Sequence, residues 1–227
     1  MGKLNFFATV VRAGRLFVRR LIDLSTTVKE MHHYVTINAE ARNDIHWWCE
    51  FLPIWNSSSI IPDPLTVRST DIKLFTDASS TIGFGAILGD EWIQSEWLKF
   101  ADEDIDFKEL FAILAATFTW GSSWSGKRVV FVTDNKPITQ IWCSGTSRSP
   151  HLMNLVRKLF LFAACHNFSI SLKHIFGHYN PIADALSRFQ VNRFRSLMPT
   201  ADETRTQIPP EAWHVGNHLE KHTAGKN

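Results

Sequence analysis

The chain has 227 residues, 44% hydrophobic and 20% charged, enough for one large or two small globular domains with a sizeable core. A formal net charge of +2 excludes a broad basic field, so any contact with nucleic acid has to be local. The three cysteines, Cys49, Cys143 and Cys165, are odd in number and far apart, which excludes a disulfide framework or a C-x-x-C zinc site and fits a reducing compartment.

The N-terminus, Met1-Gly-Lys-Leu-Asn-Phe6, lacks the charged-then-apolar layout of a signal peptide, and Phe6 stands where a myristoylation signal needs Ser or Thr. Residues 3–22 carry apolar side chains at helical spacing (Leu4, Phe7, Val11, then Leu16, Phe17, Leu21), interrupted by Gly14, which predicts two helical pieces. Arg12, Arg15, Arg19 and Arg20 occupy the other faces, either as an ordinary solvated face or as a strip for a phosphate backbone. A further helix is expected over 38–55, with Asn38 as N-cap, Ile45, Trp48, Cys49 and Leu52 inward, and Pro53 near its end. Asn56-Ser-Ser-Ser and Ile61-Pro-Asp-Pro-Leu65 read as a linker, placing a domain boundary at about residue 66.

Beyond the linker, Ile72 to Asp77 is a strand ending on a carboxylate. Gly83 to Leu88 is a second strand, and Gly89-Asp90 turns into a third, Trp92 to Trp97. Gly83 and Gly85 are costly in a strand unless something approaches closely. A helix is expected from Asp104 to Trp120, with Asp102, Asp104 and Asp106 at its positive end. Its Glu109 sits one turn from Ile105 and Ile113, so it is either a buried carboxylate needing a partner or a side chain at the edge of the stripe reaching solvent. The run Leu110 to Trp120, the longest apolar stretch, is too short for the ~20 residues of a membrane span, and an intracellular protein is expected. Arg128 to Thr133 reads as a strand buried on both faces, ended by Asp134-Asn135. A short helix to about Cys143 follows, then a longer one capped by Ser149-Pro150. Ile170 to Ile175 is the last strand, Gly177-His178-Tyr179 a loop, and Asn180-Pro181 the start of a helix holding Asp184 in its first turn. The order β-β-β-α-β-α-α-β-α predicts a mixed sheet, with functional groups beyond the carboxyl ends of its strands.

Asp77, Glu109, Asp134 and Asp184 thus fall at strand ends, on an apolar helix and at a helix start. Singly, each is explained by a turn, a cap or a helix-start charge. Together, clustered carboxylates resist joint ionisation, and hard divalent cations relieve that repulsion. Two such ions ~3.5–4 Å apart support hydrolysis of a phosphodiester without a Ser or Cys nucleophile. Neither G-x-S-x-G nor G-x-x-x-x-G-K-[ST] occurs, against hydrolase-elbow and P-loop chemistry.

Phe75-Thr-Asp77-Ala-Ser with Gly83-Phe-Gly-Ala-Ile-Leu88, Lys108-Glu109-Leu110, Thr133-Asp134-Asn135 and His174-x-x-Gly177-His178-x-Asn180-x-x-Ala183-Asp184-Ala-Leu-Ser-Arg188 resemble the ribonuclease H domain. With Lys108-Glu-Leu-Phe-Ala-Ile113 and Ser187-Arg-Phe-Gln190, the version resembles reverse transcriptases of DIRS/Ngaro-type retrotransposons, over about residues 2–200. Gly2-Lys-Leu-Asn-Phe6, Gly14 and Arg19-Arg20-Leu21 resemble the thumb that follows the palm in those enzymes. The resemblance implies a ribonuclease H-like mixed five-stranded sheet, three antiparallel strands then two parallel, flanked by helices and preceded by a small helical region. It implies cleavage of the RNA strand of RNA–DNA hybrids with two Mg2+, or Mn2+, held by Asp77, Glu109, Asp134 and Asp184, and His178 as a mobile loop histidine aiding proton transfer or product release. Ala78, Ser79, Glu109 and Asn135 are implied as contacts to the hybrid, and Arg12, Arg15 and Arg19 as part of the thumb's grip. No Tyr-x-Asp-Asp or Phe-x-Asp-Asp occurs, so the chain carries no polymerase site, and the palm and fingers of one polyprotein are its expected partner. The inserted basic helix of some ribonucleases H is missing between Cys143 and Ser149.

Three parts are expected: a helical thumb-like region, residues 1–65; a ribonuclease H-like domain, 66–190; and an extended or disordered tail, 191–227, in which His214, His218 and His222 share one helical face. The alternative function is a catalytically silent, retroelement-derived fragment that binds nucleic acid. A DNA strand-transfer enzyme on the same fold is disfavoured, because its last acid is typically a Glu.

Overall fold

The computed structural model describes residues 2–10, 14–28, 30, 34–54, 71–97 and 99–215. The expected linker and boundary near 66, Arg12, His218 and His222 lie outside them, as does the side chain of Arg15. The chain divides into two compact units, the second being Pro62–Val215.

In the first unit, helices α1 (Gly2–Val10), α2 (Gly14–Thr26) and α3 (Ala39–Ile54) form where the apolar spacing placed them. The break between α1 and α2 falls before Gly14, where a Cβ would come within 2.6 Å of Trp48 and 2.9 Å of the Ala8 backbone. Asn38 caps α3 by accepting the Ala41 N–H at 2.9 Å. Phe17 stacks on Trp47 with ring centres 3.9 Å apart, and Trp47 on Phe51 at 4.8 Å, so these aromatics are core. Arg20 lies 3.6 Å from buried Asp44, whereas Arg19 is exposed beside Asp23 of its own helix.

The second unit is built on strands β1 (Ile72–Ala78), β2 (Gly83–Leu88), β3 (Glu91–Glu96), β4 (Arg128–Thr133) and β5 (Ser169–His174), in the order β3-β2-β1-β4-β5. β1-β2 and β2-β3 are antiparallel, β1-β4 and β4-β5 parallel. This is the mixed five-stranded sheet that was expected, three antiparallel strands then two parallel. One face is covered by α4 (Ile105–Trp120), with α6 (Pro150–Cys165) packed on α4 and α5 (Lys136–Ser144) beside β5. Every residue of α4 from Phe107 to Thr117 is buried, as expected for a helix apolar nearly all round. Asp104, Asn135 and Ser149 cap α4, α5 and α6 through their side chains. On the opposite face α7 (Pro181–Ser187) and α8 (Val191–Leu197) cover β1, β2 and β3.

From residue 191, where an extended or disordered tail was expected, the chain forms α8 and then an ordered, mostly extended run as far as residue 215. Phe194, 1% exposed, joins Trp92, Ile87 and Leu186 in a core beneath α7 and α8. The chain then runs along the outer edge of β3, where the Asp202 and Thr206 N–H groups donate to the carbonyls of Asp90 and Trp92 at 2.9 and 2.8 Å. It thereby covers an edge strand that would otherwise be open to pairing. Further on, Trp213 packs on Phe111 at 5.2 Å, and buried Lys158 donates to the carbonyls of Glu211 and His214. No described helix is long and apolar enough to cross a membrane.

Candidate metal centre

Asp77 is the penultimate residue of β1, Asp134 directly follows β4, and Glu109 lies in the second turn of α4. Adjacent parallel strands ending at the same level set the two aspartates side by side, and α4 crosses the sheet so that Glu109 reaches them from the other side. One carboxylate oxygen from each lies within 4.8 Å of the others, with Asp77 and Glu109 buried and Asp134 half-buried. Glu109 is therefore the buried carboxylate, not a stripe-edge side chain reaching solvent.

Glu109 accepts the Ala78 N–H at 3.3 Å and the Thr133 hydroxyl at 3.4 Å, both long contacts. Burial, with Asp77 and Asp134 adding repulsion, pushes its pKa well above the ordinary carboxylate range. Asp77 is also raised, to about 6, by burial first and by the charges of Asp134 and Asp184, against the lowering effect of a hydrogen bond from Ser187. That bond depends on a close approach. Gly85 pairs with Asp77 across β1 and β2, and a Cβ there would lie 2.3 Å from the Leu186 side chain, so the glycine lets α7 lie directly on the sheet. On the other side, a Cβ on Gly177 would lie 2.7 Å from the Asp134 carboxylate. The Asp134 carbonyl meets His174 Nε2 at 3.1 Å.

Asp184 stands apart from this group of three. It lies in the first turn of α7, as expected, but its oxygens take Arg188 Nε and Arg193 Nη1, each at 2.6 Å. Partial burial acts to raise its pKa, and the two arginines outweigh it and hold the group below its usual value. Its link to the centre runs through Ser187, whose hydroxyl contacts both the Asp184 carbonyl and Asp77.

His178 is exposed, in a short turn (Gly177–Tyr179) next to Asp134, with its ring against Phe176 and Tyr179. Ala78 and Ser79 are buried, and the Ser79 hydroxyl accepts the Ile82 and Gly83 N–H groups, closing the turn after β1. Asn135 caps α5 and donates to Asp106 at 2.8 Å. Sequence reasoning missed Lys108, which is 3% exposed and donates to the Ser80 and Ala101 carbonyls at 2.6 Å each. Its position beside Glu109 on a buried helix was the available signal. Sequence reasoning also missed Arg193, whose partner is nine residues away.

Three buried or half-buried carboxylates with oxygens within 4.8 Å of one another, two of them raised and, among the described residues, none hydrogen-bonded to a protein cation, form an all-oxygen donor set suited to a hard divalent ion. No family model and no curated protein matches the chain. Among solved structures it is similar to compost-derived LC11-RNase H1 in complex with an RNA/DNA hybrid (18% identity, 51% of this chain and 93% of that one, TM-score 0.39). It is also similar to RNase H1 of the archaeon Halobacterium salinarum (17%, 54% and 98%, 0.39) and to the N-terminal RNase H domain of a Mycobacterium tuberculosis protein (13%, 54% and 98%, 0.38).

Proposed function

We propose that the chain is a ribonuclease H-type phosphodiester hydrolase that cleaves the RNA strand of RNA–DNA hybrids. The convergence of Asp77, Glu109 and Asp134 at the carboxyl ends of β1 and β4 carries this reading. Asp77, Glu109 and Asp134, with Asp184 alongside, would hold two Mg2+ or Mn2+ ions, which supply charge neutralisation at the phosphate and an activated water. The protein groups keep this site in place. Ser187 fixes Asp77, Thr133 and the Ala78 N–H orient Glu109, and Gly177 keeps space beside Asp134. Exposed on the loop over Asp134, His178 takes the proton-transfer or product-release role that the motif resemblance gives it. The same resemblance proposes Ala78, Ser79 and Asn135, at the rim of the centre, as contacts to the hybrid, with discrimination of RNA through its 2′-hydroxyls. It also proposes a retroelement reverse transcriptase as the larger assembly, with the helical unit acting as a thumb through Arg12, Arg15 and Arg19 and the palm and fingers as partners.

The test is incubation of the purified chain with a labelled RNA–DNA hybrid and Mg2+ or Mn2+, beside Asp134→Asn. Metal-dependent cuts in the RNA strand that disappear in the variant are expected. Binding of the hybrid without any cutting would favour the second reading, a silent nucleic-acid-binding fragment.

A further inference from the structure

Among the described residues of the second unit, the sheet face beneath α7 and α8 is only half covered. Those helices lie over β1, β2 and β3, and the half over β4 and β5 forms a groove of about 230 Å3. It is lined by Phe75, Val130, Val132, Ile175 and Tyr179. Lys73 and Lys173 flank it. Register places Lys73 level with Val130 and Lys173 level with Val132, so the two lysines lie on the same face with β4 between them. Two strand spacings separate them laterally, roughly 10 Å. Both lysines are exposed, no carboxylate lines the groove, and neither ammonium has an acidic partner among the described residues. Tyr179 is 66% exposed and Phe176, two rings along the same turn, 67%. Large aromatics this exposed, in a chain that buries most of its others, are unexplained by packing.

We propose that this groove binds a single-stranded segment of nucleic acid leading to or from the strand held at the metal centre. The proposal rests on the function proposed above. Three observations select this occupant. Both charged groups are cations, as phosphates require. Exposed aromatic faces hold unpaired bases, whereas a duplex keeps its bases stacked on one another. The groove is also continuous with the centre: Lys73, Phe75 and Asp77 alternate onto one face of β1, so Lys73 lies about 13 Å along the strand from Asp77. A groove about two strands wide suits one nucleic-acid strand, not a duplex.

The experiment uses the full chain in EDTA and a short labelled oligoribonucleotide, with affinity read by fluorescence anisotropy over a range of salt. Lys73→Gln/Lys173→Gln is expected to weaken binding and to flatten the plot of log affinity against log salt by about 1.4, because two phosphates are no longer neutralised. Tyr179→Ala is expected to weaken binding about 10-fold, and Tyr179→Phe to keep it. All three positions are exposed, so thermal midpoints should hold, and cleavage of a blunt hybrid should be unaffected by the lysine changes. Unchanged RNA affinity and salt slope in the double variant would overturn the proposal, as would an acidic polypeptide displacing no RNA yet binding through the same lysines. Because binding is read without metal, lysine-dependent binding by a chain that cuts nothing would overturn the nuclease function and leave the groove standing. Cutting with lysine-independent binding would do the reverse.

Discussion

The metal-free protein should lose stability as pH rises from about 4 to 6, the reverse of ordinary acid denaturation. Folded Asp77 holds its proton more tightly than it would unfolded, with its pKa raised from 3.8 to about 6, chiefly by burial. Between about pH 4 and pH 6 the folded state therefore carries more protons, and stability falls with rising pH. The penalty is absent below that window and complete above it. A displacement of this size corresponds to about 3 kcal/mol, or a fall of roughly 6–12 °C in the thermal midpoint of a chain this long. Glu109, also raised by burial and by the neighbouring carboxylates, adds a decline of the same sign. Asp184 works oppositely, but its stabilisation is lost only as pH falls through a pKa already below its usual 3.8, outside the window. The assay is urea or thermal unfolding in EDTA across this pH range, repeated with saturating Mg2+ and with Asp77→Asn. Magnesium should flatten the curve, because it binds the ionised carboxylates of the folded state alone, and Asp77→Asn should remove the part between pH 4 and pH 6. A flat or rising curve in EDTA, or an undiminished decline in Asp77→Asn, would refute the reasoning.

Other outcomes follow from single contacts. Gly177→Ala places a methyl 2.7 Å from the Asp134 carboxylate, so the midpoint rise on adding Mn2+ should shrink while the metal-free midpoint barely moves, read by thermal shift. Arg193→Gln removes one of the two clamps on Asp184 at an exposed pair. Calorimetry should find Mn2+ bound severalfold more tightly, at a stability cost below about 1 kcal/mol. Phe194→Ala should cost about 3–5 kcal/mol in urea unfolding; no loss would mean that residues after 190 are the expected tail after all.

The strands and helices of the second unit were legible because each carries its own signal. Gly89-Asp90 marks the turn, Asp102, Asp104 and Asp106 suit the start of α4, Ser149 caps α6, and the β-branched run of β4 announces a strand buried on both faces. The convergence of Asp77 and Asp134 was legible because both end parallel neighbours in the sheet. What was not legible depends on partners distant in sequence. Residues 191–215 looked like a tail because a seven-residue helix shows hardly two turns of periodicity. Their order comes from Trp92 and Lys158, about 100 and 50 residues back. Asp184 was expected among the other acids because its element and position fitted. Sequence could not show that Arg188 and Arg193 would reach it first.

The placement of the protein's own cations argues most directly for an external one. Glu109 sits in the most completely buried helix, with two long hydrogen bonds, facing two further acids. An ordinary core would relieve that by pairing, and cations are at hand. Lys108 is the adjacent residue, yet its ammonium is spent on the carbonyls of Ser80 and Ala101, fixing the turn that follows Asp77. Arg188 is close enough to be felt by Asp77, yet its hydrogen bond goes to Asp184. Each of these cations braces the frame of the centre and, among the described residues, none enters it, while a single Lys or Arg turned inward would neutralise a carboxylate and remove most of the strain. A sequence selected for stability alone has no reason to keep three acids together in this way. One that must present concentrated negative charge to a divalent ion has to keep its own cations out, and the protein here does so.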